Sequence, residues 1–163
     1  MKPAENISDK IMSRSDLKSK VNSWKSQGKK IVFTNGCFDI LHRGHLEILS
    51  QAAGLGDKLI IGVNADESVK RLKGPSRPVN NESSRSIMLA FLEITDAVSI
   101  FEEDTPLELI QTIQPDIIVK GGDYKPSEVV GAEEVAKNGG EVIIVPLVKG
   151  FSTTGIIEKI QHL

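Results

Sequence analysis

Residues 31–45 read Ile31-Val-Phe-Thr-Asn-Gly-Cys-Phe-Asp-Ile-Leu-His-Arg-Gly-His45 and contain the turn around which the predicted fold is built. The first four residues are mostly apolar and β-branched, which predicts a buried strand. Asn35 and Gly36 end that run with residues that tolerate positive φ. From Leu46 onward the apolar residues recur at helical spacing, so the stretch predicts a strand, a turn and a helix in succession.

His42 and His45 lie near the start of this predicted helix, three residues apart and on one face. A helix start offers unpaired N–H groups and the positive end of the helix dipole, which together favour an anion. Gly44 leaves room for a phosphate to approach the backbone closely. The residues therefore predict a phosphate site that contains two imidazoles. Two alternatives stay open: Cys37 and the two histidines as zinc ligands, or histidines that only cap the helix and pack.

The rest of the chain alternates between buried strands and helical patterns. Strands are predicted at residues 31–34, 58–64, 97–101, 116–120 and 141–146. This alternation predicts a three-layer, Rossmann-like α/β domain with a five-stranded, mainly parallel sheet. We expect residues 15–163 to form a single domain, with Ser15 capping its first helix, and residues 1–14 to be a flexible tail.

Composition and charge limit the classes of function. A net charge of −2 gives no support for nucleic-acid binding. The single cysteine excludes an internal disulfide and fits a reducing cytoplasm. The sequence has neither an apolar run long enough to cross a bilayer nor a signal-peptide pattern, so we expect a cytoplasmic protein without a membrane partner. The oligomeric state stays open, with a homodimer as one option.

Residues suited to ligand binding follow the predicted strands. Ligands of parallel α/β sheets bind at the carboxyl ends of the strands. Those positions hold residues 34–45 after the first strand, Asn64 and Asp66 after the second, residues 121–124 after the fourth and residues 149–154 near the fifth. We therefore expect one site at this edge of the sheet.

Residues 34–45 resemble the signature of the HxGH nucleotidyltransferases, the cytidylyltransferase-like superfamily. That signature is a strand, a Gly-x-Phe-Asp turn and then His-x-Gly-His. Ser152-Thr-Thr154 resembles the second family signature, although Phe151 replaces an isoleucine and Ile157 stands where many members carry arginine. The resemblance implies attack of a phosphate acceptor on the α-phosphorus of a nucleoside triphosphate, with Mg²⁺ present and pyrophosphate leaving.

Further segments resemble the heptose-1-phosphate adenylyltransferases, namely residues 66–74, 77–80, 101–106, 119–126 and 138–142. In many bacteria that activity is the C-terminal half of a heptose kinase/adenylyltransferase, and this sequence resembles the free-standing form. The resemblance implies transfer of AMP from ATP to a D-glycero-D-manno-heptose 1-phosphate, giving ADP-heptose for lipopolysaccharide or surface-layer glycans. The rivals are relatives that act on glycerol 3-phosphate or FMN, and a non-catalytic nucleotide-binding protein.

The resemblance also implies roles for individual residues. His42 and His45 would hold the triphosphate, and Lys73, Arg77 and Arg85 are candidates for neutralising its charge. The other expected binding residues are Thr34, Asn35, Gly36, Phe38, Asp39, Gly44, Asn64, Gly122, Asp123, Ser152, Thr153 and Thr154.

Some of these assignments have simpler alternatives. Mg²⁺ is expected to arrive mainly with the triphosphate, with Asp123 as the one candidate protein contact. The glycines at 121–122 are also compatible with a plain turn, residues 152–154 with simple N-capping, and the basic residues with solvated surface charge. Cys37 is assigned no chemistry.

Overall fold

The central sheet contains five parallel strands, as the sequence predicts. The computed structural model describes residues 6–163. Its strands are β1 (Ile31–Gly36), β2 (Lys58–Asn64), β3 (Ala97–Phe101), β4 (Ile117–Gly121) and β5 (Glu141–Val145). They lie in the order β3-β2-β1-β4-β5, and every neighbouring pair is parallel. The strand order therefore reverses between β1 and β4.

Helices cover both faces of the sheet, which confirms the three-layer prediction. They are α1 (Arg14–Ser26), α2 (Arg43–Ala53), α3 (Asp66–Lys73), α4 (Glu82–Ala90), α5 (Leu107–Ile113), α6 (Ala132–Lys137) and α7 (Thr153–Gln161). Side chains of a strand alternate between faces, so Phe33 packs with α1, α5 and α6, while Val32 packs with α2 and α4. Among the described residues, no helix combines the length and apolarity that a membrane crossing requires.

A crevice opens where the strand order reverses. β1 pairs with β2 along its whole length, from Ile31 to Gly36. With β4 it pairs only at Val32 and Phe33, near the start of both strands. The carboxyl ends of β1 and β4 are therefore not joined by a ladder, and a ligand has access to backbone and side chains there.

Residues 1–14 are expected to be a flexible tail, but residues 6–13 form a packed segment and Arg14 begins α1. Residues Ile7–Lys10 form a short 3₁₀ helix, and the Met12 N–H donates to the Val98 carbonyl at 2.9 Å. Ile7 and Ile11 pack against the core, so this segment covers edge strand β3. The first long helix is capped by Ser13, not Ser15. The remainder of the predicted tail, residues 1–5, lies outside the described residues.

Candidate active site

A cavity of about 590 Å³ opens at the carboxyl ends of β1 and β4, where the strand order reverses. Most of the predicted site residues line it: Asn35, Gly36, Phe38, Asp39, His42, Gly44, His45, Asn64, Lys73, Arg77, Ser152, Thr153 and Thr154. The lining does not include Thr34, Arg85, Gly122 or Asp123. Residues from distant parts of the sequence therefore meet at the edge where ligands of this fold class bind.

The two histidines form a stacked pair at the start of α2. Their ring centroids are 3.8 Å apart, and the ring planes differ by 20°. The ring of Phe38 packs against His45 at a tilt of 57°, with centroids 5.2 Å apart. His42 occupies the N-cap position, but its side chain makes no capping hydrogen bond. The His42 side chain therefore does not cap α2, whereas both histidine rings pack, as the second alternative expects.

Both imidazoles have a buried polar atom without a partner. The Nδ1 atoms of His42 and His45 are buried, and neither forms a hydrogen bond within residues 6–163. Burial lowers the pKa of His42, and burial together with the charge of His42 lowers the pKa of His45 to about 4. Both rings are therefore neutral near neutral pH. A neutral imidazole can still donate one hydrogen bond to a ligand.

The start of α7 faces the start of α2 across the cavity. A Cβ atom on Gly44 would lie 3.0 Å from the His42 ring and 3.3 Å from Cβ of Phe151, so glycine permits this close approach. Ser152 caps α7 by accepting a hydrogen bond from the Gly155 N–H at 3.0 Å. Residues of two helix starts therefore line one cavity, and unpaired N–H groups at a helix start favour an anion.

Arg85 does not lie in the cavity, contrary to the sequence interpretation. Its side chain is fully buried beneath the cavity floor. The guanidinium donates to the carbonyls of Asn80, Cys37 and Asn64 at 2.9, 2.7 and 2.7 Å, and to the Asp66 carboxylate at 2.8 Å. Arg85 therefore joins the loops that follow β1 and β2 to the start of α4. Four of its five N–H groups are used in these bonds, so Arg85 positions the loops, and its fully buried side chain does not line the cavity.

Asp39 has a comparable positioning role. Its buried carboxylate accepts hydrogen bonds from Nε of Arg77 at 2.6 Å and from the N–H groups of Val79 and Asn80. Burial on its own raises the pKa of Asp39, but these hydrogen bonds and the Arg77 charge outweigh it and lower the pKa. Asp39 therefore fixes the basic loop over the cavity, and Arg77 reaches the cavity as one partner of an ion pair.

The remaining predicted residues are less central. Asp123 is exposed, whereas Thr34 is buried in β1. Gly122 has φ of +132°, and its N–H donates to the Val145 carbonyl at 3.0 Å, as in a plain glycine turn. Within residues 6–163, no three His, Cys, Asp or Glu side chains are grouped to hold a metal ion, so the zinc alternative has no support.

One cation in the cavity was missed by the sequence analysis. Lys120 lines the cavity at the end of β4, half-buried. Its signal in the sequence is a lysine that directly follows the apolar run Ile117-Ile-Val119. Cys37 also lines the cavity, and burial raises the pKa of its thiol.

Comparison with known proteins agrees with this geometry. The profile of the Cytidylyltransferase-like family matches residues 33–159. The bifunctional protein HldE of Koribacter versatilis is 55% identical over 150 residues, which are 92% of this chain and 31% of that protein. The chain thus spans about a third of the length of this relative.

Two crystal structures share the fold. The lipopolysaccharide core biosynthesis protein from Thermoplasma volcanium is 31% identical with a TM-score of 0.62, and the match covers 76% of this chain and all of that one. The pantoate-β-alanine ligase from Francisella tularensis has a TM-score of 0.60 at 17% identity, a likeness of fold alone, over 94% of this chain and 78% of that one. The chain therefore belongs to the cytidylyltransferase-like family.

Proposed function

We propose that this chain transfers AMP from ATP to a heptose 1-phosphate, releasing pyrophosphate and forming ADP-heptose. The observation that carries the proposal is the stacked His42–His45 pair, which lines one cavity together with the starts of α2 and α7 and whose Nδ1 atoms have no hydrogen-bond partner within residues 6–163. Such a group of donors suits a triphosphate, which brings several anionic oxygens. The choice of heptose depends on the resemblance of residues 66–74 and 119–126 to the heptose-1-phosphate adenylyltransferases. This choice agrees with the name of the Thermoplasma volcanium relative, a lipopolysaccharide core biosynthesis protein.

In the proposed reaction an oxygen of the sugar phosphate attacks the α-phosphorus of ATP. A bond forms between this oxygen and the α-phosphorus as the bond to the bridging oxygen of the β-phosphate breaks. The attacking oxygen is already anionic, so no residue has to remove a proton from it. The neutral histidines are compatible with this, because their task is to donate hydrogen bonds to the charge on the phosphates.

The start of α7 and the basic loop supply further contacts in this proposal. The N–H groups of Thr153 and Thr154 are suited to phosphate oxygens at a helix start. Lys73 ends α3 at the rim of the cavity, where its ammonium group can reach the triphosphate. Arg77, held by Asp39, adds positive charge at the same rim.

The donor set does not suit a metal ion held by the protein alone. Of the two carboxylates that line the cavity, Asp39 is bound to Arg77 and to backbone N–H groups, and Asp104 pairs with Arg71 at 2.7 Å. We infer that Mg²⁺ enters with the triphosphate, and no step above is assigned to it. We also propose, from the single cysteine, that the protein acts in the reducing cytoplasm.

Pyrophosphate release tests the proposal directly. The protein is incubated with ATP or CTP and, in turn, each anomer of heptose 1-phosphate, other sugar 1-phosphates, glycerol 3-phosphate and FMN. We expect release with ATP and a heptose 1-phosphate. Release with CTP and glycerol 3-phosphate, or with ATP and FMN, would identify a different acceptor. Nucleotide binding without release for any pair would instead identify a non-catalytic binding protein.

A further inference from the structure

Lys120 lies on the opposite side of the sheet from the histidine pair. Within β4 it alternates with Val119 and shares a face with Ile118, which packs with α1, α5 and α6. The histidines belong to α2, which covers the other face. The cavity at the crevice is therefore lined by histidines from one side and by a lysine from the other.

The ammonium group of Lys120 has no partner within the described part of the chain. Across residues 6–163, its Nζ makes no hydrogen bond and has no carboxylate within 4 Å, whereas Arg77 and Arg85 are both paired with carboxylates. Burial and the nearby charge of Lys73 lower the pKa of Lys120. A half-buried charge without a counter-ion is unfavourable, and an anionic ligand would supply that counter-ion.

A small recess of about 130 Å³ adjoins the cavity at Lys120. Asn35, Tyr124 and Glu128 line it together with Lys120. The Tyr124 ring packs over Gly122, where a Cβ atom would come within 2.7 Å of the ring. An aromatic face and a carboxylate next to a cation suit a ligand with a phosphate and several hydroxyl groups.

In-line displacement places the attacking and leaving oxygens on opposite sides of the α-phosphorus. If the leaving pyrophosphate lies against the histidine pair, the acceptor phosphate has to approach from the side of the crevice that holds Lys120. We propose that Lys120 binds the phosphate of the acceptor and that the recess receives its sugar ring, with Glu128 accepting hydrogen bonds from sugar hydroxyls. This assignment rests on the proposed function and specifies where the acceptor binds.

The test compares Lys120→Met, Lys120→Arg and the control Lys137→Met in steady-state kinetics. Lys137 is exposed on α6 and lies outside the cavity and the recess. Loss of a charged hydrogen bond predicts a rise of about 10- to 100-fold in KM for the sugar phosphate in Lys120→Met, with KM for ATP changing less than about threefold. Lys120→Arg should recover part of the loss, and Lys137→Met should behave as wild type. Glu128→Gln should raise KM for the sugar phosphate only.

The outcomes separate the inference from the proposed function. Equal changes in both KM values, or none, in a folded Lys120→Met protein would overturn the acceptor site. If the wild type turns over no sugar 1-phosphate, the proposed function fails, and inorganic phosphate becomes the probe. Calorimetric titration of phosphate into protein saturated with α,β-methylene-ATP should then show binding that Lys120→Met abolishes. Phosphate binding that this substitution leaves unchanged, or a wild type that binds no phosphate, would overturn the inference.

Discussion

The buried arginine near the cavity and the histidine pair in the cavity wall differ in how far their polar atoms are hydrogen-bonded. Arg85 donates to three carbonyls and one carboxylate, and no part of its side chain is exposed. His42 and His45 each have a buried Nδ1 atom that finds no hydrogen-bond partner among the described residues. Both sets of residues belong to the same edge of the sheet. The difference indicates that Arg85 holds the structure together, whereas the histidines are available to a ligand.

The other charged groups of the site also divide into paired and unpaired ones. Asp39 and Arg77 satisfy each other and fix the basic loop. Lys120, like the histidines, is half-buried and unpaired within residues 6–163. Since a buried polar group without a partner is unfavourable in the free protein, such groups are retained where a ligand completes them.

The largest expected effect follows from removing Arg85. Arg85→Met removes the buried hydrogen bonds to Asp66 and three carbonyls, so we expect a loss of about 3–5 kcal/mol in the free energy of unfolding. Urea denaturation measures it. Arg71→Met is the matched control, because Arg71 forms an exposed ion pair with Asp104 and should cost less than about 1 kcal/mol. A stable Arg85→Met protein that lacked only activity would show that the arginine serves the ligand.

Removing either histidine should lower catalytic activity strongly and stability only slightly, the reverse of removing Arg85. We expect His42→Ala and His45→Ala to lower kcat by about 10²–10³, as for the loss of one donor that stabilises charge in the transition state. Stability should change much less than in Arg85→Met, because neither Nδ1 atom forms a hydrogen bond within residues 6–163. His162→Ala, at the C-terminus, serves as the control. Near-normal turnover in either active-site variant would remove the histidines from the mechanism.

A smaller effect concerns the pH dependence of stability. Burial lowers the pKa of His45 to about 4 in the folded protein, whereas an unfolded histidine titrates near about 6.5. Below about pH 6.5 the unfolded chain therefore binds more protons than the folded one, and stability falls as the pH approaches about 4. The slope due to one histidine is at most about 1.4 kcal/mol per pH unit. His45→Asn should flatten the dependence of the free energy of unfolding on pH over this interval. An unchanged dependence would contradict the conclusion that both histidines are neutral in the folded protein.

The sequence predicts those features that depend on local patterns. Five apolar strands and the strand–turn–helix at residues 31–45 are enough to predict the sheet and the edge at which the site lies. The role of Arg85 could not be predicted this way, because its acceptors come from segments up to 48 residues away. The packed segment at Ile7 and Ile11 was missed for a similar reason, since it covers a strand that lies far along the chain.

The central claim is that the triphosphate binds against the histidine pair, and the three histidines of the chain allow a direct test. The proton NMR signals of the imidazoles are followed while Mg²⁺ and α,β-methylene-ATP are added. We expect saturable shifts of the His42 and His45 signals, with the pKa of His45 rising from about 4 and the His162 signal unmoved. If calorimetry shows that the nucleotide binds while the His42 and His45 signals stay in place, the claim is contradicted.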